Sequence, residues 1–293
     1  SFRNACHAVA SGAYDMVLVC GIEKLKDSGF TGNPAFLELI TSEVEPASPP
    51  PMQFAMAATR YFHHYGLSYE EGKRTLAKIA VKNHHNGSMN PRAHFQREFT
   101  IDQVMNAPMI AWPLGLLDCC VVSDGSAAAI ITTPEIAKRY RDDYVLVKGL
   151  GLACGAGQGL LQRTFDFVHF PENVAAAQQA YKMAGITNPR EEIDLAVVHD
   201  CFTITELIIY EDMGWSPRGK AKEDVDSGFF ELGGGLPVNT DGGLKCFGHP
   251  IGASGLRMIY EIYKQLQGKA GPRQVKDAKI GLAHNLGGRP GSF

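Results

Sequence analysis

Gly242-Gly-Leu-Lys-Cys-Phe-Gly-His-Pro-Ile-Gly-Ala-Ser-Gly255 is the stretch on which the reading of this 293-residue chain turns. It sets His249 between Gly248 and Pro250, just before a glycine-bearing helix start, so the histidine is held at a turn that a ligand can approach closely. A loop at a helix N-terminus favours bound or developing negative charge. An imidazole placed there can abstract or return a proton near neutral pH. Taken by itself, the segment reads equally well as a turn histidine on a glycine-rich loop.

Two further segments have the same logic. Val197-Val-His-Asp-Cys-Phe-Thr203 lies where a buried strand ends and a helix begins, the position at which open α/β sheets bind ligands. His199 can donate to an oxyanion and Cys201 can exchange a proton there. An isolated His-x-Cys is otherwise more often a core cysteine beside a hydrogen-bonded strand-end histidine. Ala283-His-Asn-Leu-Gly-Gly288 ends another strand, and its glycines let an amide N–H join an oxyanion hole, or simply make a tight turn.

Around these segments, short apolar runs alternate with amphipathic helices, which predicts sheets covered by helices on both faces. Phe2, Ala5, Cys6, Val9 and Ala10 mark one helix face before Gly12, and Met16–Cys20 reads as a buried strand. Helices are expected over 52–65, from the capping box Ser68-Tyr-Glu-Glu71 to about residue 86, and over 173–184, 203–213 and 253–267. Strands are expected over 126–132, 144–153, 193–199 and 279–284. Residues 29–115 interrupt the rhythm as an inserted, mostly helical lid. The expected division is therefore 1–28 with 116–140, the insert 29–115, and 141–293. The helix–Gly–strand unit at Phe2-Arg3 repeats weakly at Leu256-Arg257, and superposing the arginines puts a counterpart of His249 about six residues before Ser1.

Composition narrows the function classes. A net charge of −3 gives no general attraction to nucleic acid or anionic membranes, and no apolar run is long enough to span a bilayer. The seven cysteines are irregularly spaced without a CxxC pair, which suits a reduced, cytoplasmic protein. Cys119-Cys120 reads as structural, and His63-His64 and His84-His85 lack metal-ligand spacing, so no metal is expected. In the insert, Arg60, His63, His64, Lys73, Arg92 and His94 could meet phosphates, or form a solvated helical face. Gly151-Leu-Ala-Cys-Gly-Ala-Gly157 after a strand could let the backbone approach a ligand at Gly151 and Gly157, or be a flexible turn.

Together, Gly-His-Pro-Ile-Gly-Ala-Ser-Gly, His-Asp-Cys-Phe and His-Asn-Leu-Gly-Gly resemble the thiolase superfamily, specifically the sterol-carrier-protein-2-type thiolases. Phe2-Arg3 to Lys24 resembles the helix and strand that follow the family's nucleophilic cysteine, and Ser123-Asp-Gly-Ser-Ala-Ala-Ala129 the strand closing its first half. The resemblance implies an α/β thiolase fold of five layers, αβαβα, with two similar halves and an inserted lid domain. It implies an acyltransferase acting on 3-ketoacyl-CoA in lipid metabolism such as β-oxidation, with coenzyme A as substrate and no permanently bound cofactor. His249 would activate the nucleophile or the coenzyme A thiol and help bind an oxyanion. His199 would hold the thioester oxyanion, directly or through a water. Cys201 would protonate the enolate or take the α-proton, the Gly287 N–H would complete the other oxyanion hole, and Phe202, with Gly248 and Asn285, would line the substrate pocket.

Two departures stand out. The nucleophilic cysteine of the family pattern falls five or six residues before Ser1, where the internal repeat also points. Where ordinary thiolases carry a Cys-x-Gly near the C-terminus, this chain has Asn285-Leu-Gly287, leaving Cys201 to take the second cysteine's role. The resemblance further implies a homodimer or tetramer, and in several relatives a small zinc-ribbon/OB-fold subunit. A ketoacyl synthase, a retro-aldolase, or a non-catalytic acyl-CoA- or lipid-binding subunit on the same fold are the alternatives.

Overall fold

The computed structural model describes residues 1–25, 49–155, 165–288 and 290. In chain order the elements are α1 (Phe2–Ala10), β1 (Met16–Lys24), α2 (Pro50–His64), α3 (Tyr69–Ser88), α4 (Ile101–Met105), β2 (Met109–Ala111), β3 (Leu114–Gly115), β4 (Asp124–Thr132) and α5 (Pro134–Ala137). The second part contains α6 (Pro171–Ala184), α7 (Pro189–Glu192), β5 (Leu195–Val197), α8 (Thr203–Asp212), α9 (Ala221–Asp226), α10 (Gly243–Cys246), α11 (Ile251–Leu266) and β6 (Gly281–Ala283).

Strands β1 and β4 pair antiparallel from Met16↔Thr132 to Lys24↔Asp124, and β5 pairs parallel with β6 from Leu195↔Gly281 to Val197↔Ala283. Helix α11 lies between the two sheets and packs on both. Its Leu256 joins Ala5 and Val19 in one apolar cluster, while Met258 and Ile262 enter the main core with β5 and α8. The contact with β1 is close enough to need glycine: a Cβ at Gly21 would overlap the Gly252 carbonyl, and the Glu23 carboxylate accepts the Gly252 N–H at 3.2 Å. Thus the N-terminal ribbon seats the first turn of the helix that follows His249.

Helix α3 opens with the capping box read from Ser68 and Glu71, both reciprocal bonds being formed. Side chains of α2 and α3 (Phe54, Ala58, Tyr61, Leu76, Ile79) share one core with Leu195, Ile204, Leu207, Trp215 and Met258.

Residues 144–153 carry no strand, contrary to expectation. They lie along α6, where a Cβ at Gly149 or Gly151 would overlap the Ala180 or Ala176 carbonyl, and Leu152 N–H donates to Gln179 at 3.1 Å. An apolar run becomes a strand only when another strand supplies its ladder bonds, and none of the described residues does so here. The stretch 87–115 holds α4 with a second capping box (Thr100, Gln103) and the short β2–β3 pair.

Candidate active site

Strand β5 ends at Val197, and the chain turns through His199-Asp200-Cys201 into α8. The Val198 N–H is held by Asn239 Oδ1 at 2.8 Å, and the Asn239 N–H returns to the Ala196 carbonyl at 2.8 Å. Short helix α10 leads through Gly248, at φ +114°, to His249 and the Pro250 N-cap of α11. A Cβ at Gly248 would lie 2.6 Å from Ser123 Oγ, so a side chain there would push away the segment that separates the two turns.

That segment, residues 119–123, is stitched to both turns. Cys119 bridges Phe202, the Cys120 N–H donates to the Cys201 carbonyl at 2.8 Å, and Val122 bridges His249. Cys119-Cys120 therefore contributes backbone beside the site; burial pushes the two thiols up to about 11 and about 12. Next to it His94 Nδ1 lies 3.2 Å from Ser123 Oγ, and residues 94 and 95 hydrogen-bond the Phe247 and Cys246 carbonyls.

The fold brings the two site histidines together: their rings meet edge to face with centroids 5.1 Å apart. Their tautomers follow from their partners. With the hydroxyl of the fully buried Ser254 donating to the Pro250 carbonyl at 3.0 Å, its Oγ accepts from His249 Nδ1 at 2.8 Å. Asn285 Oδ1 is an acceptor only, so His199 Nδ1, at 2.7 Å, donates as well. In each neutral ring Nε2 is left with its lone pair.

Both rings are neutral at ordinary pH. Burial, then the neighbouring His199 and the Arg257 charge, brings His249 down to about 3. Burial brings His199 down to about 4, against the opposing bond to Asn285. Arg257 is itself buried, paired with Asp241 and stacked over Phe247 with its guanidinium 4.6 Å from the ring centroid. Cys201 is buried, with Sγ 3.5 Å from Thr205 Oγ1, and desolvation holds its thiol well above the ordinary value, so it remains protonated. The site thus holds two proton acceptors in ring contact and one proton donor two residues from His199 on the same turn.

The remaining sequence candidates fall as follows. Phe202 is buried, with its ring 4.7 Å from that of Phe54 of α2. Asn285 and Gly287 are exposed at the end of β6, and a Cβ at Gly287 would meet nothing within 4 Å. Gly151 is pressed on α6, and Gly157 lies outside the described residues. Of the basic residues of the insert, Lys73 does not face solvent: it is 1% exposed and paired with Asp118, because its helical position points into the core. Arg60 donates to the Asp166 carbonyl at 3.3 Å, and Arg92 stacks over Tyr260 at 5.4 Å. Among the described residues there is no cluster of three or more His, Cys, Asp or Glu able to hold a metal, and no helix long and apolar enough to cross a membrane.

Residues 1–135 match the family model "Thiolase, N-terminal domain", and residues 157–292 match "Thiolase C-terminal domain-like". The chain is 40% identical over 294 residues to an acetyl-CoA acetyltransferase of Methanothermobacter thermautotrophicus, covering 100% of this chain and 74% of that protein. It is 35% identical to sterol carrier protein 2 of Gallus gallus, over 95% of this chain and 52% of that protein, so it spans about half of the latter's length. The solved structure titled "Ltp2-ChsH2(DUF35) aldolase" superposes with a TM-score of 0.83 at 29% identity, covering 96% of this chain and 72% of that one. An acetyl-CoA acetyltransferase from Syntrophomonas wolfei shares the fold at a TM-score of 0.62 and 16% identity, over 99% and 73% of the two chains. With an α/β architecture, both family domains matched in order and a 40% identical relative covered along most of its length, the chain belongs to the thiolase family of acyltransferases.

Proposed function

We propose that the protein is a thiolase acting on 3-ketoacyl-CoA, cleaving it with coenzyme A into an acyl-CoA and a shorter acyl-CoA, or running the reverse Claisen condensation, through an acyl-cysteine. One observation carries the reading: two neutral imidazoles, one buried and one half-buried, with ring centroids 5.1 Å apart and each with a bare Nε2, share the site with the Cys201 thiol, which lies two residues after His199 and which burial keeps protonated.

In that reaction His249 Nε2 takes the proton of the attacking thiol, and the resulting Nε2–H then stabilises the oxyanion formed at the keto carbon. Cleavage of the carbon–carbon bond leaves its electron pair on the enolate of the shorter acyl-CoA, and the Cys201 proton goes to the α-carbon. The imidazolium proton then restores Cys201, which frees His249 Nε2 to take the thiol proton as coenzyme A attacks the acyl-cysteine; collapse of that intermediate expels the cysteine thiolate, which takes the proton back as the acyl-CoA forms. The bare Nε2 of His199 favours its action through a water: the water donates one proton to Nε2 and the other to the thioester oxyanion. The Gly287 N–H, with no side chain around it, would serve the other oxyanion, and Phe202, Gly248 and Asn285 the pocket wall. In this reading the attacking cysteine is not Cys201, which is buried and serves as the acid.

A retro-aldolase is the second reading, favoured by the TM-score of 0.83 to the aldolase structure. That title, which names a DUF35 protein, also supports a partner subunit for this chain; a homodimer or tetramer in the cytoplasm is part of the same proposal. The deciding assay supplies the full-length protein with acetoacetyl-CoA, with and without coenzyme A. Thiolysis predicts acetyl-CoA only when coenzyme A is present. No coenzyme-A-dependent cleavage would sink the reading, and cleavage of a β-hydroxyacyl-CoA without coenzyme A would select the aldolase.

A further inference from the structure

We propose that Asn83, on α3, is a positioning residue for the two-histidine site: its amide ties Asp200 to Glu206 and so holds the His199–Cys201 turn against the turn that carries His249. The proposal rests on the functional reading above only where it speaks of turnover.

The geometry is fully buried. Asn83, Asp200 and Glu206 are each 0% exposed. Both amide hydrogens of Asn83 are in use, one on Asp200 Oδ2 at 2.9 Å and one on Glu206 Oε2 at 2.6 Å. Asp200 takes the Leu244 N–H at 2.5 Å and the Lys245 N–H at 3.4 Å, the backbone of α10. Helix α10 ends two residues before Gly248, so Asp200 links one catalytic turn directly to the other. Glu206 takes Lys82 Nζ at 2.5 Å and Asn239 Nδ2 at 3.0 Å, and Asn239 holds the Val198 N–H.

A second feature puts α3 in the same place. A Cβ at Gly87 would lie 2.5 Å from Cys246 Cβ, and one at Gly242, at φ +100°, would lie 2.7 Å from Gly87 Cα. Backbone packs on backbone here, so α3 cannot shift without moving α10. Desolvation, with Glu206 close by, already raises the Asp200 carboxyl, so this pair depends on its amide donor. Without that donor two buried carboxyl groups face each other with less compensation, and a displacement of about 1 Å at the site costs on the order of 100-fold in rate.

The test compares wild type with Asn83→Leu and Asn83→Asp in the full-length protein, with kcat expressed per active site titrated by an alkylating reagent. A buried amide that only stabilised the fold would reduce the titrated sites and leave kcat per site unchanged. Positioning predicts kcat per site about 10- to 100-fold lower in Asn83→Leu, with KM for the acyl-CoA changed less than about threefold. It also predicts displaced 15N resonances of the His199 and His249 imidazoles. If wild type shows no coenzyme-A-dependent cleavage, the functional reading fails on its own, and the resonances alone decide the positioning claim. Unmoved resonances in both variants, or wild-type kcat per site, would overturn it.

Discussion

Replacing Ser254 by alanine isolates the one bond that sets the His249 tautomer. Ser254 is fully buried, and the substitution removes a single oxygen while keeping Cβ, so little packing changes. The Pro250 carbonyl loses the hydroxyl at 3.0 Å yet keeps the Ala253 and Ser254 N–H groups at 2.8 and 2.9 Å. The loss therefore falls on His249 Nδ1, left without its acceptor at 2.8 Å. A neutral hydrogen bond of this kind contributes about 1 kcal/mol, and a buried donor stranded without a partner costs about 1–3 kcal/mol. The ring avoids that cost by moving its proton to Nε2, the atom required to accept one. A bias of about 1.4 kcal/mol between tautomers is a tenfold change in the competent population. The expected outcome is kcat for coenzyme-A-dependent cleavage lowered about tenfold, KM nearly unchanged, and a melting temperature lower by roughly 2 °C. Steady-state kinetics on the full-length protein, with the histidine 15N shifts as a direct tautomer readout, decide it. Wild-type kcat, or a His249 still protonated at Nδ1, would refute the reasoning.

Three other outcomes are expected. His249→Ala abolishes cleavage, whereas Cys201→Ala chiefly slows deuterium exchange at the α-carbon of the shorter acyl-CoA; exchange at the wild-type rate would remove Cys201 from the mechanism. Gly243→Ala unfolds or strongly destabilises the protein, because φ is +64° and the new Cβ would overlap the Asp200 carboxylate; a thermal melt within about 1 °C of wild type would contradict the packing. Burial, with the nearby His199, brings His284 down to about 3, below the unfolded histidine value, so the native state binds fewer protons and this residue makes stability rise with pH between those values. Urea unfolding should then show the wild-type stability, relative to His284→Gln, falling by about 1.4 kcal/mol for each pH unit below about 6, and a pH-independent difference would exclude the shift.

The chemistry-bearing turns were legible locally, each within a few residues. A strand run followed by His199-x-Cys201, a glycine turn holding His249 before a helix, and His-Asn-Leu-Gly-Gly after a strand all announce their positions without knowledge of the partners. Helix α3 was equally legible, from Ser68 and Glu71, because a capping box is a contact between residues three apart. The expected strand over 144–153 failed because apolar character determines burial, while a ladder depends on which other segment arrives alongside.

What the sequence determined by itself was the set of elements and the residue types at their ends, since propensity, capping and glycine conformation act over a few residues. It also placed His199, His249, Cys201 and Asn285 at such ends. Only the tertiary structure decided that the two imidazoles meet at 5.1 Å, that Ser254 and Asn285 leave both Nε2 atoms bare, and that Lys73 is a buried ion-pair partner. Asn83 bonds to Asp200 across 117 positions, and no local pattern encodes such a pairing. Burial supplied the rest: the two histidines become neutral and Cys201 stays protonated through desolvation, which depends on everything packed around them.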